Sequence, residues 1–161
     1  MGEITYRKAT ANDLEALARL RWLMQAERQA DHPSDPETWE TYLAAYRDAF
    51  AEQILHGGFD AWLAEDGGLV VSCVVLLWWR TPPIFDQLVR RRGMVSSVYT
   101  LPEYRRRGAS RQLMLLLIAR AKELHIYRLV LWASEMGRPM YEGIGFEPSH
   151  SMELDTIELS L

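Results

Sequence analysis

A chain of 161 residues, 48% of them hydrophobic, can bury roughly 70% of its unfolded surface in one core, and a single domain over residues 1–161 is expected. Acidic side chains outnumber basic ones by 22 to 18, which excludes a general attraction to nucleic acid or to an anionic membrane and leaves the arginines as local tools. Cys73 is the single cysteine, so an intrachain disulfide and a cysteine-based zinc site are excluded. The start carries no basic, apolar leader and the longest apolar run, residues 69–79, is too short to span a bilayer; a cytoplasmic location without membrane attachment is expected.

Residues 4–7 read as a short first strand, and Asn12 or Asp13 can cap a helix that carries Leu14, Leu17, Leu20 and Met24 on one face and ends near Ala30. Residues 31–36 are rich in turn formers. Pro36 suits the first turn of a second helix, with Trp39, Tyr42, Leu43, Tyr46, Phe50 and Ile54 at core spacing and a stop at Gly57 and Gly58. Residues 59–64 and 69–80 are β-rich and are joined by Glu65-Asp66-Gly67-Gly68, a strong hairpin signal that predicts two antiparallel strands. Pro82, Pro83 and the charged stretch 86–92 form a connection, with room for one helical turn, before a fourth strand over 94–101. A third helix over 109–124, a fifth strand over 128–133, a short helix over 137–143 and a closing strand over 151–159 complete the chain. The class is mixed α/β, and the third helix acts as a crossover that makes the fourth and fifth strands parallel.

The most informative stretch runs from Val98 to Ser110. Val98, Tyr99, Thr100 and Leu101 are β-prone, Pro102 ends the extended run, and Arg105-Arg106-Arg107-Gly108-Ala109-Ser110 leads into a helix with Leu113, Leu116, Leu117 and Leu124 on its apolar face. A helix start presents unpaired N–H groups and the positive end of the dipole, and Gly108 and Ala109 let a ligand approach the backbone, so the loop suits a diphosphate. Four histidines, His32, His56, His125 and His150, lack metal-ligand spacing, and no metal is expected. The triplets Arg90-Arg91-Arg92 and Arg105-Arg106-Arg107 are both placed in loops without interleaved aromatics, which argues against nucleic-acid binding.

Two motifs in the right order give the chain a family. The arginine, two residues, glycine, one residue and small residue of the first loop, with Ser110 in the last place where glycine or alanine is usual, resemble the cofactor loop of the GCN5-related N-acetyltransferases. Leu129-Val130-Leu131-Trp132-Ala133-Ser134, followed by Gly137-Arg138-Pro139-Met140-Tyr141-Glu142-Gly143-Ile144-Gly145-Phe146, resembles that family's second strand, loop and helix end. The resemblance implies a mostly antiparallel sheet flanked by helices, with parallel fourth and fifth strands splayed around acetyl-CoA. It implies a bulge in the fourth strand, main-chain groups at Val98, Tyr99 and Thr100 for the pantetheine arm, and N–H groups from Arg106 to Ser110 for the pyrophosphate. Arg105, Arg106, Arg107 and Arg111 supply charge for phosphates, one or two of them directly.

By the same resemblance the Val98 N–H polarises the thioester carbonyl and the Tyr141 hydroxyl protonates the departing sulfur. Without the family context Tyr141 reads as a core tyrosine, and Ser134 as a cap for the next helix; the resemblance gives Ser134 a second role, holding pantetheine or a water. Near the fourth strand stand Ser96, Ser97 and Tyr99 rather than a glutamate, so the amine is expected to lose its proton through water. Cys73 lies mid-strand in an apolar run, where its face is not fixed by the pattern; a buried thiol there would be inert, which favours direct attack in a ternary complex over a covalent enzyme intermediate. The expected acceptor is a small-molecule amine, an amino acid or a peptide terminus. Trp78, Trp79 and Arg80, with Trp22, Gln25 and Arg28, are candidates to line its pocket, the outward tryptophan of the pair covering an aromatic acceptor or sealing a dimer contact, and residues 31–35 are a candidate lid whose Asp31 and Asp35, with Glu37, would attract a cation. A homodimer is compatible with the family. The competing function is a non-catalytic acyl-CoA-binding or interaction module that kept the pyrophosphate loop.

Overall fold

The computed structural model describes residues 2–29, 33, 35–86 and 88–154, which fall into two compact units, Met1–Leu131 and Trp132–Leu161. The first unit holds a five-stranded sheet in the order β1 (Ile4–Lys8), β2 (Phe59–Asp66), β3 (Leu69–Thr81), β4 (Arg90–Thr100) and β5 (Ile126–Val130). Neighbours are antiparallel except β4 and β5, which are parallel and joined by helix α3 (Ala109–Glu123) as a crossover. Helices α1 (Leu14–Ala26) and α2 (Pro36–His56) precede β2. The mixed sheet with its one parallel pair is the class the element order predicts.

Local chemistry sets the boundaries. The Asp35 carboxylate accepts the Thr38 N–H at 2.8 Å, Pro36 follows in the first turn, and Gly57 at φ 102° ends α2. Gly67 and Gly68 turn the β2–β3 hairpin at φ 58° and 89°, a pair of positive values that a two-residue turn requires. One face of the sheet carries Phe59, Ala61, Leu63, Cys73, Val75 and Tyr99, packed with Leu14, Leu17, Leu20, Leu43 and Tyr46. Leu113, Met114, Leu117 and Ala121 of α3 are buried as well, and each such leucine removed from water contributes about 1.5–3 kcal/mol. With helices on both faces, residues 59–64 and 71–76 are buried without alternation.

Several predicted boundaries move. A 3-10 turn, Ala11–Asp13, precedes α1, and α1 stops at Ala26, so Glu27 leaves the helix for partners on other elements. No helix occupies the described residues between β3 and β4, and β4 starts at Arg90, so the first arginine triplet lies in a strand rather than a loop. The arginine stems lie along the sheet: Arg90 stacks over Tyr127 at 4.3 Å, Arg91 over Trp78 at 5.6 Å, and Arg91 Nη1 donates to the Leu124 carbonyl at the end of α3. Strand β5 ends at Val130 instead of Ala133, because its ladder with β4 ends at the Met94–Val130 pair. Ser151, Met152, Glu153 and Leu154 form no strand, and the remainder of the predicted closing strand lies outside the described residues.

Arg7 anchors the start of α1 to the sheet, bonding Asp13 at 2.7 Å and Glu65 at 2.7 Å. Asp13 also accepts from the Thr10 N–H and hydroxyl, and the Arg7 hydrogen bond, against burial, pulls its carboxyl down to about 2. The folded value lies below the unfolded one, so this stabilisation is complete above about pH 4 and is lost as pH falls towards 2. Asp13→Asn is expected to lose about 1 kcal/mol at pH 6, after solvent screening of the half-exposed Arg7, and almost nothing near pH 2; urea unfolding at the two pH values checks it.

Candidate functional site

The ladder between β3 and β4 runs regularly from Thr81–Arg90 to Val75–Ser96, then slips and resumes at Cys73–Tyr99. The slip is a bulge centred on Ser97, whose φ is 52°, and it bends β4 at the level where β5 has already ended. Beyond Met94, no strand among the described residues pairs with β4 on its β5 side, so there the stretch through Val98 and Thr100 forms an open edge. The Cys73 thiol donates to the Ser97 carbonyl at 3.1 Å inside the core, and burial pushes it up to about 12. Cys73 is thus a buried thiol, the case in which it is inert.

After β4 the chain makes a 3-10 turn, Pro102–Tyr104, then passes through Arg106 at φ 65° and Gly108 at φ 82° into α3. Residues in the left-handed region, alternating with ordinary ones, turn successive N–H groups to one side and form an anion-binding concavity. Among the described residues the backbone N–H groups of residues 106–111 make no hydrogen bond of normal geometry to a protein acceptor; Gln112, bonded to the Gly108 carbonyl at 3.0 Å, is the first to do so. No atom lies within 4 Å of where a Gly108 Cβ would stand, so glycine is required there by backbone conformation and not by crowding.

Ser110, the one departure from the family loop, has a built-in partner. Its hydroxyl lies 2.7 Å from Thr100 Oγ1, which lies 2.7 Å from Ser72 Oγ, and Ser72 donates to the Tyr99 carbonyl at 2.8 Å. Because the single Ser72 proton goes to Tyr99, Thr100 must donate to Ser72 and Ser110 to Thr100. The start of α3 is thereby tied to β4 and β3 through three hydroxyls. Ser72 is absent from the sequence-derived site; its only signal is that it interrupts an apolar run.

The loop arginines divide. Arg105 donates to the Thr100 carbonyl at 3.0 Å and to both oxygens of Glu27 at 2.7 Å, so its charge is met within the protein. Glu27 also accepts from the Tyr99 hydroxyl at 2.6 Å; against burial, these donors hold the Glu27 carboxyl below its usual range, while burial and Glu27 push the Tyr99 hydroxyl up. Arg107 rests over the Tyr104 ring at 5.5 Å, and Arg106 and Arg111 are exposed.

On the opposite flank of the bulge, Arg21 of α1 donates through Nη1 to Ser96 Oγ at 3.2 Å and Ser97 Oγ at 3.0 Å. Trp22 stacks edge-on to Trp39 at 5.6 Å and Tyr42 at 4.9 Å, extending the α2 aromatics as a core cluster. Trp78 donates to Asp60 at 2.9 Å, and Trp79 is the outward tryptophan, 45% exposed. Of the predicted lid, Asp31, His32 and Ser34 lie outside the described residues, and Asp35 caps α2.

The second unit contains Ser134 and helix α4 (Arg138–Glu142). The Ser134 hydroxyl accepts the Gly137 N–H at 3.2 Å, the capping bond its position predicts. Tyr141 is buried, edge-on to Phe146 at 6.0 Å, and its carbonyl accepts from Ile144 and Phe146. A Cβ on Gly137 would stand 2.9 Å from the Tyr141 ring and 3.2 Å from Ser134 Oγ. Gly137→Ala is therefore expected to move the Tyr141 ring while leaving its hydroxyl intact; if Tyr141 has the role that the resemblance implies, kcat falls roughly tenfold in a thiol-release assay while acetyl-CoA affinity, by calorimetry, holds. Glu135 is exposed, as is Glu142, which lies 3.9 Å from Arg138.

Comparison with known proteins agrees with this geometry. The chain resembles a GCN5-related N-acetyltransferase from Ralstonia eutropha JMP134 at 28% identity and a TM-score of 0.78, over 96% of this chain and 99% of that one. A predicted acetyltransferase from Clostridium acetobutylicum, solved with acetyl-CoA, matches at 24% identity and a TM-score of 0.81, over 98% and 99% of the two chains. The glucosamine-6-phosphate N-acetyltransferase of Arabidopsis thaliana shares the fold at 14% identity and a TM-score of 0.69, over 96% and 97%. No curated protein sequence matches the chain. The acetyltransferase (GNAT) family model covers residues 18–146, from α1 through the β4 bulge, the loop ahead of α3 and Phe146, and the chain belongs to that family.

Proposed function

We propose that this protein is an acetyl-CoA-dependent N-acetyltransferase that passes an acetyl group to a primary amine by direct attack in a ternary complex. The observation that carries the reading is the run of unpartnered N–H groups from residue 106 to residue 111, set directly after the open edge of a bulged β4. Those groups suit a pyrophosphate, with Arg106, Arg107 and Arg111 adding charge, and the main chain at Val98, Tyr99 and Thr100 suits the amide-bearing pantetheine arm as an added strand.

In the reaction the amine lone pair forms a C–N bond to the thioester carbon while the C–S bond breaks, and the ammonium proton is released to water. The Val98 N–H stabilises the charge on the carbonyl oxygen, an effect worth about 3–4 kcal/mol for such a donor. The Tyr141 hydroxyl gives its proton to the leaving sulfur and regains one from solvent. A phenol near 10 is protonated at neutral pH and sits about one and a half units above a free thiol, so the transfer is modestly uphill and within reach of a tuned site. Ser134 steadies the pantetheine or a water beside it. The inert Cys73 supports attack without a covalent acyl-enzyme. Calorimetry with acetyl-CoA and a thiol-release assay across amines, peptides and amino acids test the reading; heat without turnover on any acceptor points to the acyl-CoA-binding module instead, and no heat ends both.

A further inference from the structure

Arg21 is half-buried against the β4 bulge, and among the described residues no carboxylate lies within 4.0 Å of it. Arg7, Arg47, Arg105 and Arg120 each have such a partner. A cation drawn partly out of water and met by two serine hydroxyls and the Tyr42 hydroxyl, all neutral groups, is undercompensated, and its fork offers five donors. The Tyr42 hydroxyl is buried without a hydrogen bond of normal geometry, and burial, opposed by the nearby Arg21 charge, raises it. The same charge reaches Tyr46 and Cys73. Arg21 therefore sets a positive charge beside Tyr42 and the Ser96 and Ser97 hydroxyls, next in the chain to Val98.

A bare ammonium arriving beside Arg21 meets a like charge. An amine that brings its own anion does not: carboxylate and phosphate oxygens pair with a guanidinium fork, and the neighbouring cation favours the neutral, nucleophilic amine in a site where β4 supplies no carboxylate base. We infer that the acceptor is an amine carrying an anionic group, a carboxylate as in an amino acid or a phosphate, and that Arg21 is the residue that selects it. This rests on the acetyltransferase reading above, and it runs against the cation preference that Asp31, Asp35 and Glu37 suggest in the sequence.

The test is a thiol-release assay with matched acceptors: L-phenylalanine against phenethylamine, and O-phosphoethanolamine against ethanolamine, with acetyl-CoA calorimetry on every variant. The anionic member of one pair is expected to exceed its neutral counterpart roughly 30-fold in kcat/KM, and the pair that responds distinguishes carboxylate from phosphate. In Arg21→Met that ratio falls to about threefold or less through KM, and Arg21→Lys recovers part of it. Equal or better turnover of the bare amines, turnover with no member of either pair, or a preference that survives Arg21→Met overturns the inference. Loss of acetyl-CoA heat from the unaltered protein instead removes the acetyltransferase reading beneath it.

Discussion

Tyr141→Phe is expected to lower kcat by roughly 10²–10³ while the affinity for acetyl-CoA and the KM of the acceptor stay within about twofold. The substitution deletes one oxygen from a ring that is buried and packed edge-on to Phe146, so the aromatic contact and the backbone bonds from Ile144 and Phe146 to its carbonyl survive. On the proposed mechanism the substitution removes the proton for the leaving thiolate, which is needed only as the C–S bond breaks; an interaction made in the transition state alone shows in kcat and leaves ground-state binding untouched. Steady-state kinetics beside calorimetry separates the two quantities. A fall in acetyl-CoA affinity matching the fall in kcat would make Tyr141 a binding residue, and unchanged turnover of a confirmed acceptor would remove it from the chemistry. Gly137→Ala is the companion variant, because it disturbs the ring's position and not its hydroxyl.

The parts of this fold that the sequence makes legible are those encoded locally. Leu14, Leu17 and Leu20 repeat at helical spacing, Gly67 and Gly68 mark their hairpin, and Pro102 with Gly108 brackets the loop before α3, so each is read from its immediate neighbours. The family motifs carry the loop and the Tyr141 segment in the same way. The remainder depends on distant partners. Glu27 looks like a solvent-facing helix residue, yet it accepts from Tyr99, 72 residues on, and from Arg105, 78 residues on. Arg90, Arg91 and Arg92 look like a charged loop because their charges are visible in the sequence, whereas the Tyr127 and Trp78 rings that receive the guanidinium groups belong to β5 and β3. Ser110 reads as a substitution until Thr100 and Ser72 are brought beside it. Arg21 has no local signal at all: its environment exists only once α1 lies against the β4 bulge.

The second large effect is placed at Gly108. Its φ of 82° costs an ordinary side chain about 1–2 kcal/mol, but Asn and Asp tolerate the left-handed region better than other residues, and a Cβ there meets nothing within 4 Å. Gly108→Asn and Gly108→Asp should thus fold alike, each with a melting temperature lower by about 2–4 °C. They differ by one negative charge set among the N–H groups of residues 106–111. If those donors hold the pyrophosphate, Gly108→Asp weakens acetyl-CoA binding by roughly 100-fold, about 3 kcal/mol, because the new carboxylate both competes for the donors and repels the ligand. Gly108→Asn weakens it by less than about tenfold, and raising the ionic strength narrows the gap between the two by screening. Equal affinities for the two variants would mean that the nucleotide half of the ligand lies elsewhere, since an added charge at the centre of an anion cradle has to register in Kd.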